Sequence, residues 1–174
     1  MAVGRLDDFN LGALYLAIDA QRQSRGITWQ QAMLEINRQS NGKAGRHPIA
    51  RSTVLGLRTK AIAEGDGVLQ MLRWLNRSPE SFVPGCKALE IHTLPYVPFN
   101  QVLRFDTVKL HAAIDTQRTA RRLTWQQVAR EIGGMSATTL THMKKGGRTG
   151  FPFVMRITRW LGEPAAHFTR ITAW

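Results

Sequence analysis

The sequence predicts an all-α protein made of two tandem five-helix units joined by a proline-containing linker. Three observations lead to this prediction. Apolar residues recur at the spacing of an amphipathic helix, and capping residues and glycine pairs mark where successive helices begin and end. In addition, one short sequence motif occurs twice, as "ITWQQAMLEI" beginning at Ile27 and as "LTWQQVAREI" beginning at Leu123. Such internal similarity indicates a duplicated structural unit.

The duplication extends well beyond that motif. Thr28 aligns with Thr124 at an offset of 96 residues, and at the same offset "AIDAQR" aligns with "AIDTQR". Further along, Trp74 aligns with Trp160 at an offset of 86 residues. The first copy therefore carries 10 extra residues, which lie within "NRQSNGKAGRHP". Two copies are too few for a solenoid and are typical of two similar small domains.

The alignment divides the chain into three parts. The first repeat spans residues 5–83 and contains a long inserted turn at 37–48, and the second repeat spans 104–174. Residues 84–103 form the linker between them, whose prolines disfavour a long helix. Fully extended, a linker of this length reaches roughly 66 Å.

Each repeat is predicted to contain helices in the same order. In the second repeat, a first helix carries Leu110 and Ile114 on its apolar face. Thr124 and Gln127 form a capping box that begins the second helix, because the hydroxyl and the amide each satisfy a backbone N–H. The glycine pair at 133–134 ends this helix, and Ser136 caps the third. A fourth helix carries Trp160, and a short fifth follows at 164–168.

The first repeat follows the same plan. Thr28 with Gln31 caps its second helix, and the third helix begins near Ala50. No stretch is predicted to form a strand, because the apolar runs "SFVPG" and "YVPF" both contain proline.

The charge of the chain favours a polyanionic partner. Lys and Arg number 24 against 12 Asp and Glu, which gives a net charge of +12. The second repeat is the more basic, at +8 from 12 basic and 4 acidic residues, against +4 from 11 and 7 in residues 1–83. Nucleic acid is the usual partner of such an excess, although some soluble proteins are simply basic.

Other features of the composition predict a soluble, intracellular protein. Cys86 is the only cysteine, so no disulfide forms within the chain, which fits a reducing compartment. The N-terminal residues lack the apolar core of a signal peptide, and no apolar run is long enough to span a membrane. No membrane partner is therefore expected.

A short helix, a turn and a second short helix held by flanking helices describe a helix-turn-helix unit. Here "GITWQQ" and "RLTWQQVAREIGGMSATTLTHMKKG" resemble the Xre/Cro/lambda-repressor-like helix-turn-helix family, over about 65 residues of the second repeat and most of the first. The resemblance implies sequence-specific binding of double-stranded DNA, transcriptional regulation and a cytoplasmic protein associated with a bacterial or phage nucleoid. The insertion in the first repeat departs from the family's short turn.

The third helix of each repeat is the predicted recognition helix, since a helix fits the major groove of DNA. Arg51 is the best candidate for a specific contact, because a guanidinium bonds guanine O6 and N7 together. The predicted base-reading residues are Arg51, Ser52 and Leu55 in the first repeat and Ala137, Thr138, Thr141 and His142 in the second.

Phosphate contacts supply affinity and fix the register of a protein on DNA. The cations that follow each recognition helix are well placed for them, and so are glutamines at the N-terminus of each second helix, where backbone N–H groups favour anions. The predicted phosphate-binding residues are Gln30, Arg58, Lys60, Gln126, Lys144, Lys145 and Arg148.

Two groups of residues have competing interpretations. The basic run of Arg118, Arg121 and Arg122 is either a solvated face or a set of phosphate contacts. The inserted turn, with Arg38, Lys43 and Arg46, is either a basic loop lying on the DNA backbone or an insertion that spoils the site. The tryptophans of the second and fourth helices are predicted to pack against neighbouring helices rather than stack on DNA.

No enzymatic activity, metal site or cofactor is expected. The acidic residues are too scattered for a paired-carboxylate site, the histidines show no metal-ligand spacing, and no phosphate-binding glycine loop is present. With two recognition helices about 34 Å apart, one chain is expected to act as a monomeric pseudo-dimer on two half-sites, and higher oligomers remain open. The alternatives are a protein-interaction module, in which one copy docks a partner protein, and RNA binding.

Overall fold

The computed structural model describes residues 9–38, 48–84, 93–98 and 101–173. Residues 5–8 of the first repeat, 39–47 of the inserted turn, and 85–92 and 99–100 of the linker lie outside the described residues. The described chain is mostly helical, with a small two-stranded sheet. The first repeat contains α1 (Leu11–Ser24), α2 (Trp29–Arg38), α3 (Arg51–Gly56), α4 (Gly65–Leu75) and a 3-10 helix at Pro79–Phe82. The second contains β1 (Gln101–Phe105), α5 (Thr107–Ala120), α6 (Trp125–Ile132), α7 (Ala137–His142), α8 (Phe151–Leu161), 3-10 helices at Met143–Lys145 and Ala165–Phe168, and β2 (Thr169–Ala173).

The predicted helix starts are confirmed by their hydrogen bonds. The Gln31 N–H donates to Thr28 Oγ1 at 3.2 Å, and the Thr28 N–H donates back to the Gln31 amide oxygen at 2.7 Å. The same reciprocal pair joins Thr124 and Gln127. Ser136 accepts from the Thr139 N–H at 3.1 Å and so caps α7. These bonds satisfy N–H groups that have no partner inside the helix.

The prediction of an all-α chain is wrong in one respect, because β1 and β2 form an antiparallel pair. Gln101 lies opposite Ala173, and Phe105 lies opposite Thr169. The first three residues of β1 belong to the predicted linker. Since the two strands stand at opposite ends of the second repeat, only the folded chain brings them together, and no local pattern in "QVLRF" marks the pairing.

The two repeats share one hydrophobic core among the described residues. Buried side chains of α1, α2 and α4 form a continuous cluster with those of α5, α6 and α8. At its centre the fully buried ring of Phe151 lies 4.3 Å from the ring of Phe9 and 5.4 Å from that of Phe105, centroid to centroid. The repeats are therefore packed together, rather than held at a distance by an extended linker.

Residues 63–65 and 149–151 form the seam between the two repeats. The Gly65 N–H donates to the Thr149 carbonyl oxygen at 2.9 Å, and the Phe151 N–H donates to the Ala63 carbonyl oxygen at 2.8 Å. Between these bonds, Glu64 and Gly150 form an antiparallel bridge. The seam therefore joins the segments that lead into α4 and α8.

Gly65 is expected to be essential to the packing of this seam. A Cβ atom at Gly65 would lie 2.8 Å from Cδ2 of Phe105 and 3.0 Å from the Thr149 carbonyl oxygen. We expect Gly65→Ala to lower the free energy of unfolding by about 1–3 kcal/mol through overpacking. Gly67→Ala, in the same helical turn, is the matched control, because its nearest neighbour is a Glu64 carboxylate oxygen at 3.5 Å. It is expected to be neutral or to stabilise by up to about 1 kcal/mol through helix propensity. Urea unfolding measures both, and equal losses would contradict the prediction.

The base of the inserted turn is closed by a side chain. The Asn37 amide donates to the Ile49 carbonyl oxygen at 3.1 Å, and its oxygen accepts from the Ile49 N–H at 2.8 Å. These two bonds join the end of α2 to Ile49, which lies two residues before the start of α3. In addition, α3 packs against α2. Lys43 and Arg46 lie outside the described residues, so both interpretations of the insertion stay predictions.

Candidate nucleic-acid interface

The predicted recognition helices α3 and α7 bury one side and expose the other. Val54 and Leu140 are fully buried at equivalent positions and anchor the two helices to the core. Of the predicted base-reading residues, four are exposed and three are half-buried. The exposed ones are Arg51, Ser52, Thr138 and His142, and the half-buried ones are Leu55, Ala137 and Thr141.

The hydroxyls of α7 are partly engaged within the helix. The Thr141 hydroxyl donates to the Thr138 carbonyl oxygen at 3.0 Å. A hydroxyl committed in this way still accepts a hydrogen bond and still presents its methyl group. Thr141 therefore suits an apolar contact with a thymine methyl group better than a donated bond to a base.

All seven predicted phosphate-binding residues are exposed. Lys144 and Lys145 lie in the 3-10 helix that directly follows α7, and Arg58 and Lys60 lie in the turn that follows α3. Arg148 reaches across the seam to Glu64, with Nε 3.9 Å from Oε1. Both partners of this pair are largely exposed, so it contributes little to stability and leaves the guanidinium accessible to a phosphate.

The segments that follow α3 and α7 meet at the seam. Glu64 lies eight positions after Gly56, the last residue of α3, and Gly150 lies eight positions after His142, the last residue of α7. Arg148, in the segment after α7, thereby lies beside Glu64 of the first repeat.

Two of the three arginines in the basic run at the end of α5 make contacts within the second repeat. Arg118 bonds Asp115 and the Leu123 carbonyl oxygen, and its guanidinium lies 5.1 Å from the Trp125 ring centroid. Arg121 makes two hydrogen bonds to the Glu131 carboxylate, at 2.8 and 3.0 Å. These two arginines hold the second repeat together. Arg122 is exposed and has a positive φ of 54°.

The same network recurs in the first repeat, residue for residue. Arg22 bonds Asp19 and the Ile27 carbonyl oxygen, and Arg25 makes two hydrogen bonds to Glu35. In each repeat, the glutamate also accepts from a tryptophan Nε1, of Trp74 at 2.9 Å and of Trp160 at 2.8 Å. We call each arginine–glutamate–tryptophan set a clamp. The duplication seen in the sequence therefore extends to matching side-chain contacts.

The tryptophans pack as predicted. Trp29 stacks on Tyr15 with 5.9 Å between ring centroids, and Trp125 stacks on His111 at the equivalent place, at 5.1 Å. Burial lowers the pKa of the His111 imidazole, which favours the neutral ring in this stack. Trp74 is only 8% exposed. The rings thus fix α2 and α6 against α1 and α5.

The clamps predict a loss of stability in acid. The hydrogen bond from Arg25 lowers the pKa of Glu35, and the bond from Trp160, followed by that from Arg121, lowers the pKa of Glu131. A carboxyl group with a lowered pKa stabilises the folded state above its unfolded pKa, and this contribution disappears as pH falls through the folded pKa. We expect the thermal midpoint to fall between about pH 6 and about pH 3. The double variant Glu35→Gln/Glu131→Gln should show a flatter profile, and an unchanged profile would contradict the prediction.

Sequence reasoning missed two exposed threonines of the predicted recognition helices, Thr53 and Thr139, which occupy equivalent positions. The hydroxyl of Thr139 lies 3.0 Å from that of Ser136. Thr53 lines a groove between α3 and α4 together with Lys60. Their position could have identified them, because each lies two residues after the first residue of its helix.

The described residues bring no three potential metal ligands together. Within the same part of the chain, every helix is too short or too polar to cross a membrane. Comparison of the chain with models of protein families, with curated proteins and with solved structures found no match.

Proposed function

We propose that the chain is a sequence-specific double-stranded DNA-binding protein that regulates transcription. In this proposal α2–α3 and α6–α7 are helix-turn-helix units, α3 and α7 are recognition helices, and one chain acts as a pseudo-dimer. The observation that carries the proposal is the pair of short helices, each anchored on one side by a buried aliphatic residue and exposed on the other.

The charge next to these helices supports the proposal. Five exposed cations follow the recognition helices, namely Arg58, Lys60, Lys144, Lys145 and Arg148. Their only acidic neighbour along these two segments is Glu64. Exposed cations directly after two exposed helices suit a duplex, because phosphates flank the groove that a recognition helix enters.

The contacts at the base of the inserted turn also support DNA binding by the first repeat. Because Asn37 bonds the backbone of Ile49 twice, the insertion leaves and rejoins the fold at one place. The recognition helix α3 then begins at Arg51 with its outer face exposed. The insertion thus lengthens the turn without removing the helix that follows it.

A protein-interaction role is the second candidate, and one observation favours it for the first repeat. Leu34 on α2 is 50% exposed and Leu16 on α1 is 66% exposed. The second repeat has Arg130 and Ala112 at the matching positions. At these two positions the first repeat exposes leucines where the second does not, as a docking surface for a protein does.

A salt series of binding to duplex DNA tests the proposal. If the five cations contact phosphates, the logarithm of affinity should fall with the logarithm of salt concentration with a slope of about −4.5. Between about 50 and 200 mM salt, affinity should therefore fall by about 10²–10³-fold. The measurement uses the full chain and a labelled random duplex. A flat series would reject DNA binding and leave the protein-interaction role.

A further inference from the structure

We infer that the DNA site of this protein consists of two unlike half-sites in inverted orientation at one fixed spacing, bound by a single copy of the chain. This inference rests on the proposed function. It adds the orientation and the fixed spacing of the half-sites, whereas their difference follows already from the different residues of α3 and α7.

The seam relates the two repeats by an approximate twofold rotation. Its two hydrogen bonds exchange under the repeat alignment, because Gly65 corresponds to Phe151 and Ala63 to Thr149 at the offset of 86 residues. The bridge between the bonds joins Glu64 to its own counterpart, Gly150, with the two segments antiparallel. When a residue pairs with its own equivalent, the rotation axis passes between the two.

Contacts further from the axis obey the same rule. The helices α4 and α8 correspond to each other and touch, and so do the 3-10 helices at Pro79–Phe82 and Ala165–Phe168. The Phe9 ring of the first repeat lies against Phe151. Phe105, the equivalent of Phe9, reciprocally lies against Gly65, the equivalent of Phe151. Such reciprocal contacts define an isologous interface, whereas repeats related by translation make head-to-tail contacts.

The recognition helices flank this axis symmetrically. Each ends eight residues before the bridge position of its own repeat, and the bridge is antiparallel. The same rotation therefore carries α3 onto α7 and α7 onto α3. A half-site pair with the same symmetry is an inverted repeat, because the two strands of a duplex are also related by a twofold axis.

The spacing of the two half-sites is fixed because the repeats share one core. A flexible tether of the linker's length would reach roughly 66 Å and would tolerate many spacings. The rigid seam allows one spacing, because each added base pair turns one half-site by about 34° and moves it by about 3.4 Å. Adding a full helical turn of about 10 base pairs returns the half-sites to the same face of the duplex but leaves them further apart than before.

The two half-sites differ because the reading surfaces differ at equivalent positions. Arg51 has Ala137 as its counterpart, and Gly56 has His142. Arg51 is exposed and favours guanine, whereas the second repeat offers Thr138 and His142. The bound sequence is therefore a pseudo-palindrome and not a perfect one.

Selection of bound duplexes from random DNA with the full chain tests the inference. The expected result is two different motifs in inverted order at one spacing, with one chain per duplex. Direct repeats, a single motif or several spacings would overturn the inference while leaving DNA binding intact. Binding that does not depend on salt would overturn the proposed function as well.

Two variants and a spacing series complete the test. Arg51→Ala should relax preference in one half-site only, with a loss of about tenfold to hundredfold, and Thr138→Ala should affect the other half-site. Both positions are exposed, so the variants are expected to fold. Insertion of 1, 2 or 10 base pairs between the half-sites should weaken binding at least about tenfold in every case. Recovery at 10 base pairs would indicate a flexible tether and overturn the fixed spacing.

Discussion

Replacement of Phe151 by alanine is expected to lower the free energy of unfolding of the whole chain by about 3–5 kcal/mol. Phe151 is fully buried and contacts the rings of Phe9, from the start of the first repeat, and Phe105, from β1. Its removal leaves a cavity lined by both repeats, which the surrounding core fills only in part. The thermal midpoint should fall by about 10 °C, measured by circular dichroism.

The matched control is Phe153→Ala, in the same helix, because Phe153 is only half-buried. We expect it to cost clearly less than Phe151→Ala. Both variants should unfold in a single transition, since the repeats share one core. Two separate transitions, of which only one shifts in Phe151→Ala, would show that the repeats fold independently.

Reversal of charge next to α7 is expected to abolish specific DNA binding. In Lys144→Glu/Lys145→Glu, two exposed cations become anions in the segment between α7 and the seam. Loss of two charge-assisted bonds to phosphates costs about 3 kcal/mol, and the new repulsion between like charges adds to that cost. Affinity at low salt should therefore fall at least about 10³-fold in a fluorescence-anisotropy titration.

A second double variant separates local contacts from net charge. Arg77→Glu/Arg170→Glu changes the net charge equally, and both positions are exposed and outside the segments that follow the recognition helices. Glutamate already occupies position 163, the counterpart of Arg77, so the fold is expected to accept it. This control should lose far less affinity. Equal losses in the two double variants would place the phosphate contacts elsewhere.

Much of the candidate site follows from local sequence patterns. The capping boxes at Thr28 and Thr124 act over three residues, so their hydrogen bonds are determined by residue type and spacing. The apolar spacing of α3 and α7 likewise defines which side of each helix is buried, as Val54 and Leu140 confirm. Exposure of the predicted base-reading side follows from the same periodicity.

Other features depended on partners that are distant in sequence. The roles of Arg118 and Arg121 stayed open in the sequence because Glu131 and Trp125 become their neighbours only when α6 packs on α5. The strand β1 was missed for a similar reason, since its partner β2 lies at the far end of the repeat. Long-range pairing depends on which surfaces pack together, and a short segment of sequence does not contain that information.

The sequence by itself determined the duplication, the order and caps of the helices, and the basic charge near α3 and α7, because these depend on residue type and short spacing. Only the tertiary structure decided how the two repeats face each other. The twofold seam rests on backbone bonds between Gly65 and Thr149 and between Phe151 and Ala63, which every non-proline sequence is able to make. The packing of Phe9, Phe105 and Phe151 in one core determines where these bonds form. Because these contacts involve both repeats, neither repeat contains them by itself.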